Sequence, residues 1–271
     1  MKTSLMKLMF AVTLVLSSLC SAPAFSATET VLTKAQVQIN SVAKAAMTGD
    51  NSALQQLLSI GNSGNTSAQF LLGGMYENGL GVTQNDTTAS QWYQKAAEQG
   101  NAFAQAKLGW MYKNGQGVKQ NYSIAMQWYQ KAAEYGDANA QNNLGVMYDN
   151  GQGVPKNLDI ALNWYRKAAN QGDTDAQNNL GIMYEEGQGV EQNYATAMQW
   201  YRKSADHGFA KAQNNLGVMY ARGRGVPKNL ATAAYWWQKA ANQGYASAQG
   251  NLKTLQAMQE RASNNGKANL D

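Results

Sequence analysis

The chain has one cysteine, one histidine and three prolines among 271 residues, and only 14% of its residues are charged. The cysteine, Cys20, falls in the first 27 residues, so the remainder has no thiol to form a disulfide, attack a substrate or bind a metal. His207, alone and without cysteine partners, argues against a zinc site; at the end of a helical stretch it reads as a surface residue. No run of Lys or Arg occurs, and a net charge of +5 is too small to signal nucleic acid by charge alone. The apolar run Leu8–Leu16 is shorter than the roughly 20 residues needed to cross a bilayer.

That run belongs to a leader. Lys2 and Lys7 precede it, and Ser17, Ser18 and other small residues follow, the pattern of a secretory signal peptide over residues 1–27. Ala24 and Ser26 are small residues where a signal peptidase reads, which places cleavage after Ser26 or Ala27. The alternative is an uncleaved anchor helix. Leu19 is not the small residue that precedes a lipoprotein cysteine. Cleavage removes two lysines and no acids, so the net charge falls from +5 to +3. The expected destination is periplasmic or secreted.

What the chain has in quantity is a repeat. Gly64, Gly100, Gly136, Gly172, Gly208 and Gly244 stand 36 residues apart, and five full copies lie between them. A fixed period of this size marks stacked supersecondary units and shifts attention from a pocket to an extended binding surface. Each copy has two helical patterns. In the third, Ala140, Leu144 and Tyr148 fall at i, i+4 and i+8, and Ala138 and Met147 join the same apolar face. Gly145 interrupts this helix at a cost of roughly 1 kcal/mol. The same slot holds Gly73, Gly109, Gly181 and Gly217, which implies a close approach that no side chain tolerates. Gly151 suits a left-handed C-cap, Pro155 cannot continue the helix, and Asn157 is a natural N-cap for the second helix. Asn85, Asn121, Asn193 and Asn229 share the slot of Asn157. The second helix carries Ala161, Trp164, Tyr165, Ala168 and Ala169, with the Trp-Tyr pair read as core.

The pattern A-Q-x-x-L-G-x-M-Y-x-x-G-x-G-V-x-x-N-x-x-x-A-x-x-W-Y-x-K-A-A resembles the Sel1-like repeat, a relative of the tetratricopeptide repeat with a longer loop between its helices. The resemblance covers Gly64 to Gln243. It implies an all-α, right-handed α/α solenoid of helix-pair repeats. The expected organisation is a signal peptide at 1–27, degenerate capping helices at 28–63, five repeats at 64–243, a capping helix at 244–260 and a flexible tail at 261–271. Lys253 in the packing-glycine slot and Gln256 in a core tyrosine slot fit a polar terminal cap. The family resemblance also implies an interaction scaffold. The alternative is a cell-wall or β-lactam-related binder or hydrolase of the cysteine-rich Sel1-like type, which the missing cysteines disfavour.

No cofactor, metal or catalytic residue is expected. G-x-G-V recurs after a helix and not after a strand, so it lacks the context of a phosphate-binding loop. Asp149, Glu185 and Glu186 fit a solvated helix face better than a glycosidase pair. Function is sought in slots that vary while the frame repeats. By analogy with tetratricopeptide repeats, the first helices line a concave face through the slots three, six, ten, thirteen and fourteen residues after each anchor glycine. Those slots run from aromatic (Phe70, Phe103, Trp110) through amide-rich and acidic (Asn142, Asp149, Asp175, Asn178, Glu185, Glu186) to basic at Lys211 and Arg222, with Asn214 among them. These twelve residues are the expected contacts for a peptide or protein segment, with Trp110 as anchor and the asparagines bonding an extended backbone. Packing of Trp110 against a neighbouring helix, and bonding of the asparagines within the repeats, are the competing structural roles. No nucleic acid and no span after cleavage are expected.

Overall fold

The computed structural model describes residues 27–268, with side chains from 34 to 261. The assigned signal peptide therefore lies, apart from Ala27, outside the described residues. Thirteen α-helices and no strand occur among them: α1 (Ala27–Met47), α2 (Asn51–Asn62), α3 (Thr66–Asn78), α4 (Asp86–Glu98), α5 (Ala102–Asn114), α6 (Tyr122–Glu134), α7 (Ala138–Asn150), α8 (Leu158–Asn170), α9 (Thr174–Glu186), α10 (Tyr194–Asp206), α11 (Ala210–Arg222), α12 (Leu230–Asn242) and α13 (Ala246–Ala268). The fold is an all-α solenoid of helix-pair repeats. Its helices gather into two compact units, α1–α6 up to Asp137 and α7–α13 from Ala138.

One repeat shows why the chain folds this way. Asp173 caps α9 by accepting from the Ala176 N–H. Gly187 ends the helix in the left-handed region, at φ 71°, with its N–H on the Met183 carbonyl. Asn193 then caps α10 through the Thr196 N–H, while its own N–H reaches back 2.8 Å to the Tyr184 carbonyl. The cap slot behaves alike at Asn85, Asn121, Asn157 and Asn229. The second loop glycine, Gly189, has φ 66°, and a Cβ there would stand 2.8 Å from Leu158 Cβ. The loop is thus seated on the first turn of α8, one repeat earlier, which a side chain would prevent.

The interior is built from small residues and tyrosine. In the second unit Ala176, Leu180 and Met183 of α9 and Ala197, Tyr201 and Ala205 of α10 are buried. Each fully buried Leu or Met stabilises by roughly 1.5–3 kcal/mol. The mid-helix glycine has its cause in tyrosine. A Cβ on Gly145 would lie 2.6 Å from the Tyr165 ring, and Gly73 and Gly109 stand in the same way under Tyr93 and Tyr129.

The Trp-Tyr pair departs from expectation. The tyrosines are buried, but Trp128, Trp164 and Trp200 are only half-buried. A lysine three residues on covers each of these rings, Lys167 Nζ lying 4.3 Å from the Trp164 centroid. At the N-terminal end α2 takes the place of a second helix, with Leu57 buried where Tyr93 stands one repeat later. At the other end α13 continues to Ala268, past Glu260, with Lys253 and Gln256 exposed.

Candidate interaction surface

The expected contact residues fall on the first helices of the pairs, α3 and α5 in one unit and α7, α9 and α11 in the other. On the first unit Phe70 lies on α3, and Phe103 and Trp110 lie on α5. Phe70 is half-buried, its ring 5.6 Å from Tyr93 and 6.3 Å from Phe103. Phe103 and Trp110 are 36% and 38% exposed, enough to present ring surface to a partner. Lys107 ties this face together. Its Nζ lies 2.8 Å from Glu77 and 5.8 Å from the Trp110 ring centroid. Desolvation lowers the Lys113 pKa from its ordinary value.

On the second unit the asparagines differ from expectation. Asn142, Asn178 and Asn214 are buried, and the next repeat takes their amide oxygens: Asn179, Asn215 and Asn251 donate to them at 3.1, 3.0 and 2.9 Å. This is an internal ladder that stitches one first helix to the next, so an extended peptide backbone finds no free acceptor there. Asp149 and Glu185 are also partly committed. Buried tyrosines at the same slot of the second helix need an acceptor, and Tyr201 donates to Glu185 at 2.8 Å, Tyr165 to Asp149 at 3.5 Å. Tyr93 does the same to Glu77 at 2.6 Å. In the last repeat Ala221 fills the acidic slot, Trp237 replaces tyrosine, and its indole N–H goes to the Asn214 carbonyl at 3.2 Å.

The remaining charged residues do converge. A cleft of about 500 Å³ between α9 and α11 brings together Glu185, Glu186, Lys211, Asn215, Arg222 and Arg224. Arg224 closes on Glu185 at 2.8 Å, and Gln188 donates to Glu186 at 2.6 Å. Asp175 is exposed; desolvation by its neighbours pushes its carboxyl up, the larger effect, and Lys211 pulls it down. Among the described residues no three His, Cys, Asp or Glu side chains are placed to hold a metal ion, and no helix is long and apolar enough to cross a membrane. Sequence reasoning missed Lys107 and Asn215. Both occupy the slot seven residues after the anchor glycine, which the analogy did not point inward.

A Sel1 repeat profile matches residues 66–101, 102–137, 138–173, 174–209 and 210–245. This chain belongs to the Sel1 repeat family. Its boundary between compact units, at Asp137 and Ala138, coincides with a Sel1 repeat boundary. The chain is similar to a Sel1 repeat protein of known structure from Oxalobacter formigenes, with 38% identity over 80% of this chain and 85% of that one, and a TM-score of 0.73. It is 35% identical to c5321, a protective antigen of uropathogenic Escherichia coli strains with an SLR fold, at a TM-score of 0.72. That match covers 84% of this chain but only 51% of the antigen, so this chain spans about half its length. Immunity protein Pa5087 of Pseudomonas aeruginosa shares the fold at 21% identity and a TM-score of 0.51, covering 78% of this chain and 84% of that one. No match is found among curated proteins. Sel1 repeats generally serve as non-enzymatic scaffolds for protein–protein interaction.

Proposed function

We propose that this Sel1 repeat protein is an exported scaffold that holds a segment of a partner protein along the faces of its first helices. The observation that carries the reading is the exposed pair Phe103 and Trp110 on α5. Every other tryptophan sits in a second helix, in the slot of the Trp-Tyr pair. The Trp110 slot holds Gly74, Val146, Ile182 and Val218 in the other repeats, so the frame does not require an indole there. Exposed rings with a cation beside them are the side chains that anchor protein partners. Export rests on the leader at 1–27, with the mature chain beginning near Ala27 or Thr28.

The test is affinity capture of the partner from the native envelope, followed by binding measurements with Trp110→Ala. Loss of a true anchor costs about 2 kcal/mol or more, roughly thirtyfold in Kd. Undiminished binding by a folded Trp110→Ala variant removes α5 as the working face. N-terminal sequencing of the exported protein checks the leader, and a chain still starting at Met1 in a membrane fraction would favour an anchor.

A further inference from the structure

We infer that the cleft between α9 and α11 is a receptor for an acidic side-chain cluster on the partner protein. This inference rests on the scaffold reading and names the chemistry of one part of it.

Three slots of the repeat turn basic together, and only in the last repeat. Lys211 stands where earlier copies carry Ser67, Phe103, Asn139 and Asp175. Arg222 stands where they carry Asn78, Asn114, Asn150 and Glu186, and Arg224 where they carry Leu80, Gln116, Gln152 and Gln188. The packing glycine Gly217 and the C-cap Gly223 keep the common pattern, while the N-cap becomes Phe209, which makes no side-chain cap bond, and Trp237 takes the tyrosine slot; none of these changes calls for a cation at the three slots. All three cations line one cleft.

Their partners within the chain are few. Arg224 spends one nitrogen on Glu185, and its guanidinium carbon lies 5.5 Å from the Tyr194 ring centroid. Glu185 in turn has both carboxylate oxygens engaged, one by Arg224 and one by the Tyr201 hydroxyl. Lys211 faces Asp175 electrostatically, without a short ion pair. Arg222 is exposed and makes no hydrogen bond or ion pair among the described residues. Asn215 offers an amide on the cleft wall, and Asn178, to which it is bonded, keeps a buried Nδ2 with no acceptor. An unpaired guanidinium, a lysine and a second guanidinium form an array of donors that carboxylates satisfy, with Arg222 able to bind one in the bidentate way. Glu186 and Asp175 on the α9 side repel anions that do not reach the basic wall, which favours side chains long enough to enter.

The experiment titrates the full chain, labelled for NMR, with three probes: acetyl-Gly-Glu-Glu-Glu-Gly-amide, the same peptide with Gln for Glu, and inorganic phosphate. The acidic peptide should give saturable shifts centred on Lys211, Asn215 and Arg222, weakening as salt rises. A Lys211→Gln/Arg222→Gln double variant, checked for folding by its thermal melt, should bind at least about tenfold more weakly, and Arg222→Lys should keep part of the affinity. Equal shifts with the Gln peptide, an unaffected double variant, or no saturable response overturns the assignment. A response to phosphate as strong as that to the peptide reassigns the cleft to a small anion and also overturns it. The two readings fail separately: a captured partner that needs Trp110 but tolerates the double variant leaves the scaffold and removes the cleft. A partner indifferent to both removes the first-helix faces as the working surface.

Discussion

Two buried glutamine oxygens show how a single residue breaks a repeating bond. Gln69, Gln141 and Gln213 each accept from a glutamine 30 residues on, Gln99, Gln171 and Gln243, at 2.7, 2.8 and 2.9 Å. In the two intervening copies the donor is replaced by Tyr135 and His207, and the Oε1 atoms of Gln105 and Gln177 are buried without a partner. Tyr135 is 69% exposed and His207 turns its Nδ1 to the Lys203 carbonyl, so neither supplies the bond. Restoring the donor should stabilise, because an unpaired buried acceptor costs about 1–3 kcal/mol. Tyr135→Gln and His207→Gln should each raise stability by about 1 kcal/mol in urea denaturation; a loss of stability in both would show that the orphan oxygens are satisfied another way. The same scale separates the Trp-Tyr pair. Tyr165→Ala should cost about 3–5 kcal/mol, as large-to-small changes in a packed core do, whereas half-exposed Trp164→Ala should cost less than half as much. Equal losses would mean that the indole is as much core as the phenol.

At the scale of the helix, glycine has opposite value in different places. Ala normally exceeds Gly by roughly 1 kcal/mol inside a helix. In α7 the gain is overridden, since a Cβ on Gly145 would press into the Tyr165 ring at 2.6 Å. In α13 nothing lies within 4 Å of a Cβ on Gly250. Gly145→Ala should therefore lower the melting temperature and Gly250→Ala should raise it. Two changes of the same sign would contradict this account of the mid-helix glycines. A tyrosine ring explains the glycine in four copies, and Trp237 fills the same role over Gly217 in the fifth.

Across the whole molecule the buried tyrosines add up to a pH limit. Burial first, and a neighbouring carboxylate second, raise the pKa of Tyr93, Tyr129, Tyr165 and Tyr201 above the ordinary 10.0; the carboxylates are Glu77, Asp137, Asp149 and Glu185. The unfolded chain releases these protons from about pH 10, while the folded chain holds them. Their contribution to stability is thus complete below pH 10 and falls as pH rises beyond it, by up to about 1.4 kcal/mol per pH unit for each tyrosine. Urea midpoints should be flat in this respect below pH 10 and drop steeply above. Tyrosinate absorbance from this set should appear only as the helical circular dichroism disappears. Complete tyrosine ionisation with the helix signal intact would refute the burial argument.

The sequence by itself determined the helix pairs, their caps and their period, because these depend on local rules: Asn157 caps and Gly151 terminates wherever the chain places them. It also marked Trp110, Lys211 and Arg222 as departures from the frame. What it left undecided was which polar residues are already engaged. Asn142, Asn178 and Asn214 look like a free amide row until the next repeat is seen to donate into it. Asp149 and Glu185 look solvated until the tyrosine hydroxyls reach them. Those bonds join residues 16 to 37 positions apart, and only stacked helices bring such groups within 3.5 Å. Tertiary structure alone therefore distinguished side chains that hold the repeats together from those left to meet a partner.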